Sequence, residues 1–165
     1  MKTPTPLSRR SFLKTSSAGA AAAAVAPSIA LGARQEPFRF AQIGCGGKGD
    51  SDRDAMIKAG AKVVALCDVD DNNAKNVYAK HADVPKYKDF RVMLEKHDNE
   101  IDGFVVSTPD HFHAVAALDA MRRGKHVYVQ KPLARTYAEC QSMLDASRKY
   151  KVVTQMGNQG HSGNG

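Results

Sequence analysis

Cysteine is scarce in this sequence of 165 residues, and the three that occur stand in no useful pattern. Cys45, Cys67 and Cys140 cannot make the even-numbered, regularly spaced framework that staples a small secreted domain. No metal centre is expected either: His111 and His113 are two residues apart and would not share a helix face, and no second ligand pair sits at zinc-like spacing. No apolar run is long or hydrophobic enough to span a bilayer. There is no internal repeat and no basic stripe interleaved with aromatics. The formal charge of +7 is concentrated at one end, where Lys2, Arg9, Arg10, Lys14 and Arg34 face only Glu36. The remaining +3 is spread along the chain as a solvated surface, which excludes nucleic acid as a partner.

What that basic end does contain is an address. Ser8-Arg9-Arg10-Ser11-Phe12-Leu13-Lys14 matches the twin-arginine export pattern, and an alanine-rich stretch over residues 18–26 follows it. Ser28-Ile29-Ala30 offers small residues for signal-peptidase cleavage, with Leu31-Gly32-Ala33 a second choice. Residues 1–36 are therefore read as a signal and linker. The export machinery becomes a partner, and the periplasm or the cell exterior the destination. Proteins on this route cross already folded, so Cys45 and Cys67 are expected to be small buried residues long before they meet an oxidising compartment.

The strongest feature lies just beyond. Residues 38–43 (FRFAQI) read as a buried strand that runs directly into Gly44-Cys45-Gly46-Gly47-Lys48-Gly49. A helix is predicted over residues 50–59, closed by Gly60, then a strand over residues 62–67 (KVVALC) ending at Asp68. Glycines alone are weak evidence. Strand, glycines, helix, strand and terminal acid in one unit form a dinucleotide-binding fingerprint. Gly44 makes the tight turn, Gly46 lets the backbone approach a pyrophosphate, with Gly47 beside it, and Gly49 allows close packing of helix on strand. The helix N-terminus offers unpaired N–H groups to phosphate. Asp68 can accept from ribose hydroxyls and would repel a 2′-phosphate, and no Arg stands next to it, so NAD is favoured over NADP. Lys48 is either a phosphate contact or a solvated loop residue.

The rest of the chain continues the alternation. Short helices are predicted over residues 89–97, 113–123 and 137–150, and strands over residues 102–107, 126–130 and 152–156. Apolar strands alternating with amphipathic helices specify an α/β fold, a doubly wound parallel sheet covered on both faces. Residues 37–157 are assigned to this domain, and residues 158–165 to the start of a connection to a further one.

Two loops after later strands carry polar groups where such a sheet places its ligands. One is Ser107-Thr108-Pro109-Asp110-His111-Phe112-His113, the other Gln130-Lys131-Pro132. A lysine before proline sits on stiff, non-helical backbone, which suits a positioned acid or base. Each loop alone would be ordinary.

The ordered set GCGGKG, CDVD, STPDHFHA and HVYVQKPLA resembles the N-terminal half of the Gfo/Idh/MocA family of oxidoreductases, over about residues 37–165. The resemblance implies a Rossmann domain joined to a larger α+β domain that receives sugars, polyols or similar hydroxy compounds, in a protein expected to be a homo-oligomer at full length. It implies that Lys131 lies by the nicotinamide and assists proton transfer, and that Thr108, Pro109 and Asp110 pack along the nicotinamide side, with His113 at its usual place. The family's motif is Glu-Lys-Pro; here Gln130 replaces the glutamate and supplies no negative charge, while its amide can still bond a ribose or orient the lysine. Some relatives use tightly held NAD to break a glycosidic bond by transient oxidation and elimination. The substrate-facing half would lie beyond Gly165, so a fragment that binds NAD without catalysis is the remaining alternative.

Overall fold

The computed structural model describes residues 36–161; the export signal assigned to residues 1–36 and the end of the connection over residues 158–165 therefore lie almost wholly, or in part, outside the described residues. Eleven elements follow in order: β1 (Arg39–Ile43), α1 (Lys48–Lys58), β2 (Lys62–Cys67), α2 (Asp71–Lys80), β3 (Lys86–Tyr87), α3 (Phe90–His97), β4 (Gly103–Val106), α4 (His113–Arg122), β5 (His126–Gln130), α5 (Tyr137–Tyr150) and β6 (Thr154–Gly157). The strands form one sheet in the order β3-β2-β1-β4-β5-β6, parallel throughout. That order reverses direction between β1 and β4, the topological switch point at which doubly wound sheets bind ligands.

The sheet is buried on both sides because its central strands are apolar at successive positions. Ala41, Ile43, Ala65, Cys67, Phe104 and Val106 pack with Met93, Leu94, Ala117 and Met121 from α3 and α4 on one face. Phe40, Val63, Leu66 and Val105 pack with Ala74 and Val77 of α2 on the other. Period-2 alternation across β1 and β4 sends neighbouring residues to opposite faces, so each central strand feeds both layers. Each fully buried Phe, Leu, Ile, Val or Met side chain among these contributes roughly 1.5–3 kcal/mol.

The helices start and stop for local reasons. Asp70 caps α2, its carboxylate accepting from the Asn72 and Asn73 N–H groups, and Asp89 caps α3 through the Arg91 N–H. Thr136 and Glu139 form a reciprocal capping box on α5, which ends where Lys151 turns left-handed at φ 55°. The sequence reading places the other elements within a few residues, but it contains neither α2 nor β3. In α2 only Ala74 and Val77 are buried, too few for a periodic signal, and β3 is two residues held by its pairing with β2.

Candidate functional site

The turn after β1 is built on two glycines that no other residue could replace. At Gly44, φ is +84° and a Cβ would lie 2.5 Å from the Ser107 carbonyl oxygen. At Gly49, a Cβ would lie 2.2 Å from the Gly44 carbonyl oxygen and 2.8 Å from Gln42 Nε2. Gln42, fully buried in β1, donates to the Gly49 carbonyl at 2.6 Å and so draws the first turn of α1 onto the strand. Gly44 N–H donates to the Cys67 carbonyl at 2.9 Å, which locks the turn to the end of β2.

Asp68 holds the same turn from the other side. Its Oδ2 accepts from Cys45 N–H at 2.7 Å and from Gly46 N–H at 3.4 Å, while Oδ1 accepts from Asp70 N–H at 3.0 Å. Cys45 is buried here, and burial, reinforced by the Asp68 charge, pushes its thiol up to about 12. Cys67 is raised to about 12 in the same way. Both are free, buried thiols, as the sequence suggested.

At the carboxyl ends of β1, β2 and β4 opens a cavity of about 570 Å³. Gly44, Gly46, Asp68, Thr108 and Pro109 line it, so five of the sequence-assigned residues converge there. Gly47, Gly49, Asp110, His113, Gln130 and Lys131 are not among its walls. Gly47 caps α1 at φ 53° and Gly49 lies buried beneath the turn. Asp110 opens an exposed 3-10 turn over Asp110–Phe112. The cavity fits a dinucleotide: a glycine turn lets the backbone close in, an acid ends β2, and Thr108 Oγ1 is buried with no hydrogen-bond partner among the described residues. A buried hydroxyl left unpaired is costly, which is what a ligand contact would relieve.

Other wall residues carry no signal in the sequence. Asn73 from the first turn of α2 lies over Gly46, its side chain 2.4 Å from where a Cβ would be. Lys88 and Arg91 also reach the cavity, so cationic groups do stand near Asp68, although none adjoins it in sequence. Their charges are already engaged: Lys88 pairs with Asp71 at 2.7 Å and Arg91 with Asp89 at 2.9 Å. The Arg91 guanidinium holds the Asp89 carboxyl below the usual carboxylate range.

His113 and Gln130 face inward rather than toward the cavity. His113 is 1 % exposed; its Nδ1 lies 2.7 Å from the Pro132 carbonyl and its Nε2 2.8 Å from the Thr108 carbonyl. The imidazole thus bridges the two site loops. Gln130 donates through Nε2 to Asp52 Oδ2 at 2.7 Å and accepts at Oε1 from Gln159 Nε2 at 3.1 Å. A neutral residue ends β5, as the sequence indicates, but the fold puts a carboxylate one hydrogen bond behind it. Lys131 is exposed, and no described residue pairs with its ammonium.

The comparisons with known proteins agree with this geometry. A family model described as an oxidoreductase family with an NAD-binding Rossmann fold matches residues 38–158. The chain belongs to the Gfo/Idh/MocA oxidoreductase family. Its domain is an NAD-binding Rossmann fold, with NAD the cofactor of the family. A second model, the twin-arginine translocation signal, matches residues 6–26, so the chain carries an address for export to the periplasm or beyond. Among curated relatives, a glycosyl hydrolase family 109 protein of Saccharopolyspora erythraea is 34 % identical, over 87 % of this chain and 37 % of its own length. An inositol 2-dehydrogenase of Salmonella paratyphi B is 31 % identical, over 70 % of this chain and 34 % of its own. The crystal structure of a myo-inositol 2-dehydrogenase from Lactobacillus plantarum superposes with a TM-score of 0.68 at 25 % identity, covering 78 % of this chain and 38 % of that one. The chain spans about a third of the length of the curated relatives it matches.

Proposed function

We propose that these residues are the cofactor half of an exported NAD-dependent oxidoreductase that acts on a sugar, polyol or similar hydroxy compound. The observation that carries the reading is the convergence of the glycine turn, Asp68 and the unpartnered Thr108 hydroxyl on one cavity at the switch point of a family member's sheet. In this reading Gly44 and Gly49 shape the turn, Gly46 and Gly47 let the pyrophosphate approach the N-terminus of α1, Asp68 receives the ribose diol, and Thr108, Pro109 and Asp110 border the nicotinamide side. His113 and Gln130 act from behind, holding the loops that present Thr108 and Lys131. Lys131 moves the proton of the reacting hydroxyl at its Nζ. Bound NAD supplies the hydride acceptor. Beyond Lys131, no substrate-facing group is assigned among the described residues, which belong to a chain spanning about a third of the length of its curated relatives.

A second reading is favoured by the glycosyl hydrolase family 109 relative, whose match includes 87 % of this chain. There the same proton transfer would start a transient oxidation that breaks a glycosidic bond and returns the hydride, so no net redox occurs. Product analysis of the full-length protein separates the two, since a ketone marks the dehydrogenase and a cleaved glycoside the second reading. Either way the exported protein would carry its NAD with it, because a cofactor bound only to the folded state also stabilises that state. Denaturing protein recovered after export should release close to one nucleotide per chain. An empty protein, active only with added NAD, would mark an ordinary dissociable dehydrogenase.

A further inference from the structure

A buried charge that does not line the cofactor cavity sits behind both site loops. Asp52 occupies the second turn of α1 and is 5 % exposed. Its Oδ2 accepts from the Ser107 hydroxyl at 2.8 Å and from the Gln130 amide at 2.7 Å, and its Oδ1 pairs with the Lys48 ammonium at 2.9 Å. Ser107 directly follows β4 and Gln130 ends β5. The next residues along the chain are Thr108, which the proposed function sets on the nicotinamide side, and Lys131, to which it gives the proton of the reacting hydroxyl. A buried carboxylate is costly unless fully paired, and this one is paired by donors from three separate segments. Neighbouring acids on the same helix, Asp50 and Asp54, are exposed and pair with Arg53.

We propose that Asp52 is a positioning residue: its single negative charge ties the ends of β4 and β5 together and so sets where Thr108 and Lys131 project. The tie needs one negative charge in the pair formed by positions 52 and 130. With none, the Ser107 and Gln130 donors lose their shared anchor. With two, carboxylates at hydrogen-bond distance repel and push the strand ends apart. The charge can therefore be moved across the pair but neither deleted nor doubled. The importance of Lys131 in this proposal rests on the function proposed above.

The test is a charge-relocation cycle in the full-length protein: Asp52→Asn, Gln130→Glu and the two combined. Three quantities are read without any sugar substrate: the dissociation constant for NAD, the thermal midpoint, and the rate at which acetic anhydride acylates Lys131 relative to Lys62, which lies at the opposite end of the sheet. Each single change is expected to weaken NAD by about tenfold and to move the acylation ratio by about threefold, a coupling of ordinary size for residues in direct contact. The combined change should bring both back to within about twofold of the parent, because an amide at 52 then donates to a carboxylate at 130. If the single variants only lower the thermal midpoint and leave the Lys131 ratio unmoved, Asp52 merely braces the helix and the proposal fails. It fails equally if the combined variant is as impaired as the two single effects added. Turnover of Lys131→Ala is measured alongside: normal turnover with an intact cycle would remove the proton-transfer role of Lys131 and leave the positioning by Asp52 standing.

Discussion

Replacing Asp68 by alanine separates the task its carboxylate performs in the fold from the one proposed for it toward NAD. In the folded domain it accepts from Cys45 N–H at 2.7 Å and Asp70 N–H at 3.0 Å, with a longer contact to Gly46 N–H at 3.4 Å. Cys45 is fully buried, so its N–H would be left without water or partner, at a cost of about 1–3 kcal/mol. Asp70 is exposed and water can take its N–H, while a 3.4 Å contact lies beyond the usual hydrogen-bond range and adds little. Asp68→Ala should therefore destabilise the domain by about 2 kcal/mol, read as a lower urea midpoint with unchanged slope. Separately, losing the acceptor for the ribose should weaken NAD by roughly 1.5–3 kcal/mol, about 10- to 150-fold. Asp68→Asn keeps one acceptor oxygen for the turn but no charge, so it should recover much of the stability and less of the affinity. Calorimetric titration of the parent and both variants with NAD and NADP decides the matter. An Ala variant that is less stable yet binds NAD as before would reduce Asp68 to a brace for the turn. A parent that prefers NADP would refute the assignment outright, and Lys88 and Arg91 would then be the cations to examine.

Gly49→Ala should cost at least about 3 kcal/mol by urea unfolding, because the new methyl meets a backbone oxygen that cannot step aside and the gain in helix propensity, about 1 kcal/mol, does not offset it; equal stability would mean the turn and α1 are not in contact. Lys131→Ala should lower turnover of the full-length protein by about 10²- to 10⁴-fold with NAD affinity retained, and normal turnover would leave Lys131 a turn residue. His81 lies below its ordinary value of about 6.5, chiefly through burial and then through Arg53 and Lys80, so the unfolded chain takes up this proton at higher pH than the folded one. Stability from this group is thus complete above the unfolded value and lost as pH falls through it; urea midpoints from about pH 8 to about pH 5 should decline, and His81→Gln should remove part of that slope.

The cofactor fingerprint was legible because each of its parts is local. A strand, a glycine turn, a helix and a terminal acid lie within one stretch of sequence, and backbone geometry at Gly44 and Gly49 admits no other residue. The wall opposite was not legible. Lys88 and Arg91 reach the cavity only because β3 pairs with β2, a two-residue contact with no periodic signal. Helix α2 carries just one cue, the Asp70 cap, amid polar residues that resemble a loop. Asp52 was invisible for a different reason. In sequence it is one of three acids spaced by two along α1, and only the helix phase against β4 and β5 buries it while its neighbours stay in water. The Gln130 reading shows the same limit: the residue is neutral, but the charge supporting it comes from 78 positions away.

Export and cofactor binding bear on each other through the same turn. Twin-arginine substrates are folded before they cross, so a domain on this route has to reach its final structure in a reducing cytoplasm. This one can, because nothing described in it calls for a disulfide. Cys45 and Cys67 are buried free thiols raised to about 12, so almost none of either is in the thiolate form that oxidation and exchange require. Burial that protects Cys45 also closes the back of the nucleotide turn, with its N–H spent on Asp68. The turn is therefore pre-formed before any ligand arrives, and NAD, abundant where the protein is made, would bind a structure that needs no later covalent step to complete it. After export the thiols stay shielded for as long as the turn stays closed, and a bound dinucleotide lying across that turn would keep it closed. Protection of Cys45 and retention of NAD would then fail together, since opening the turn exposes both.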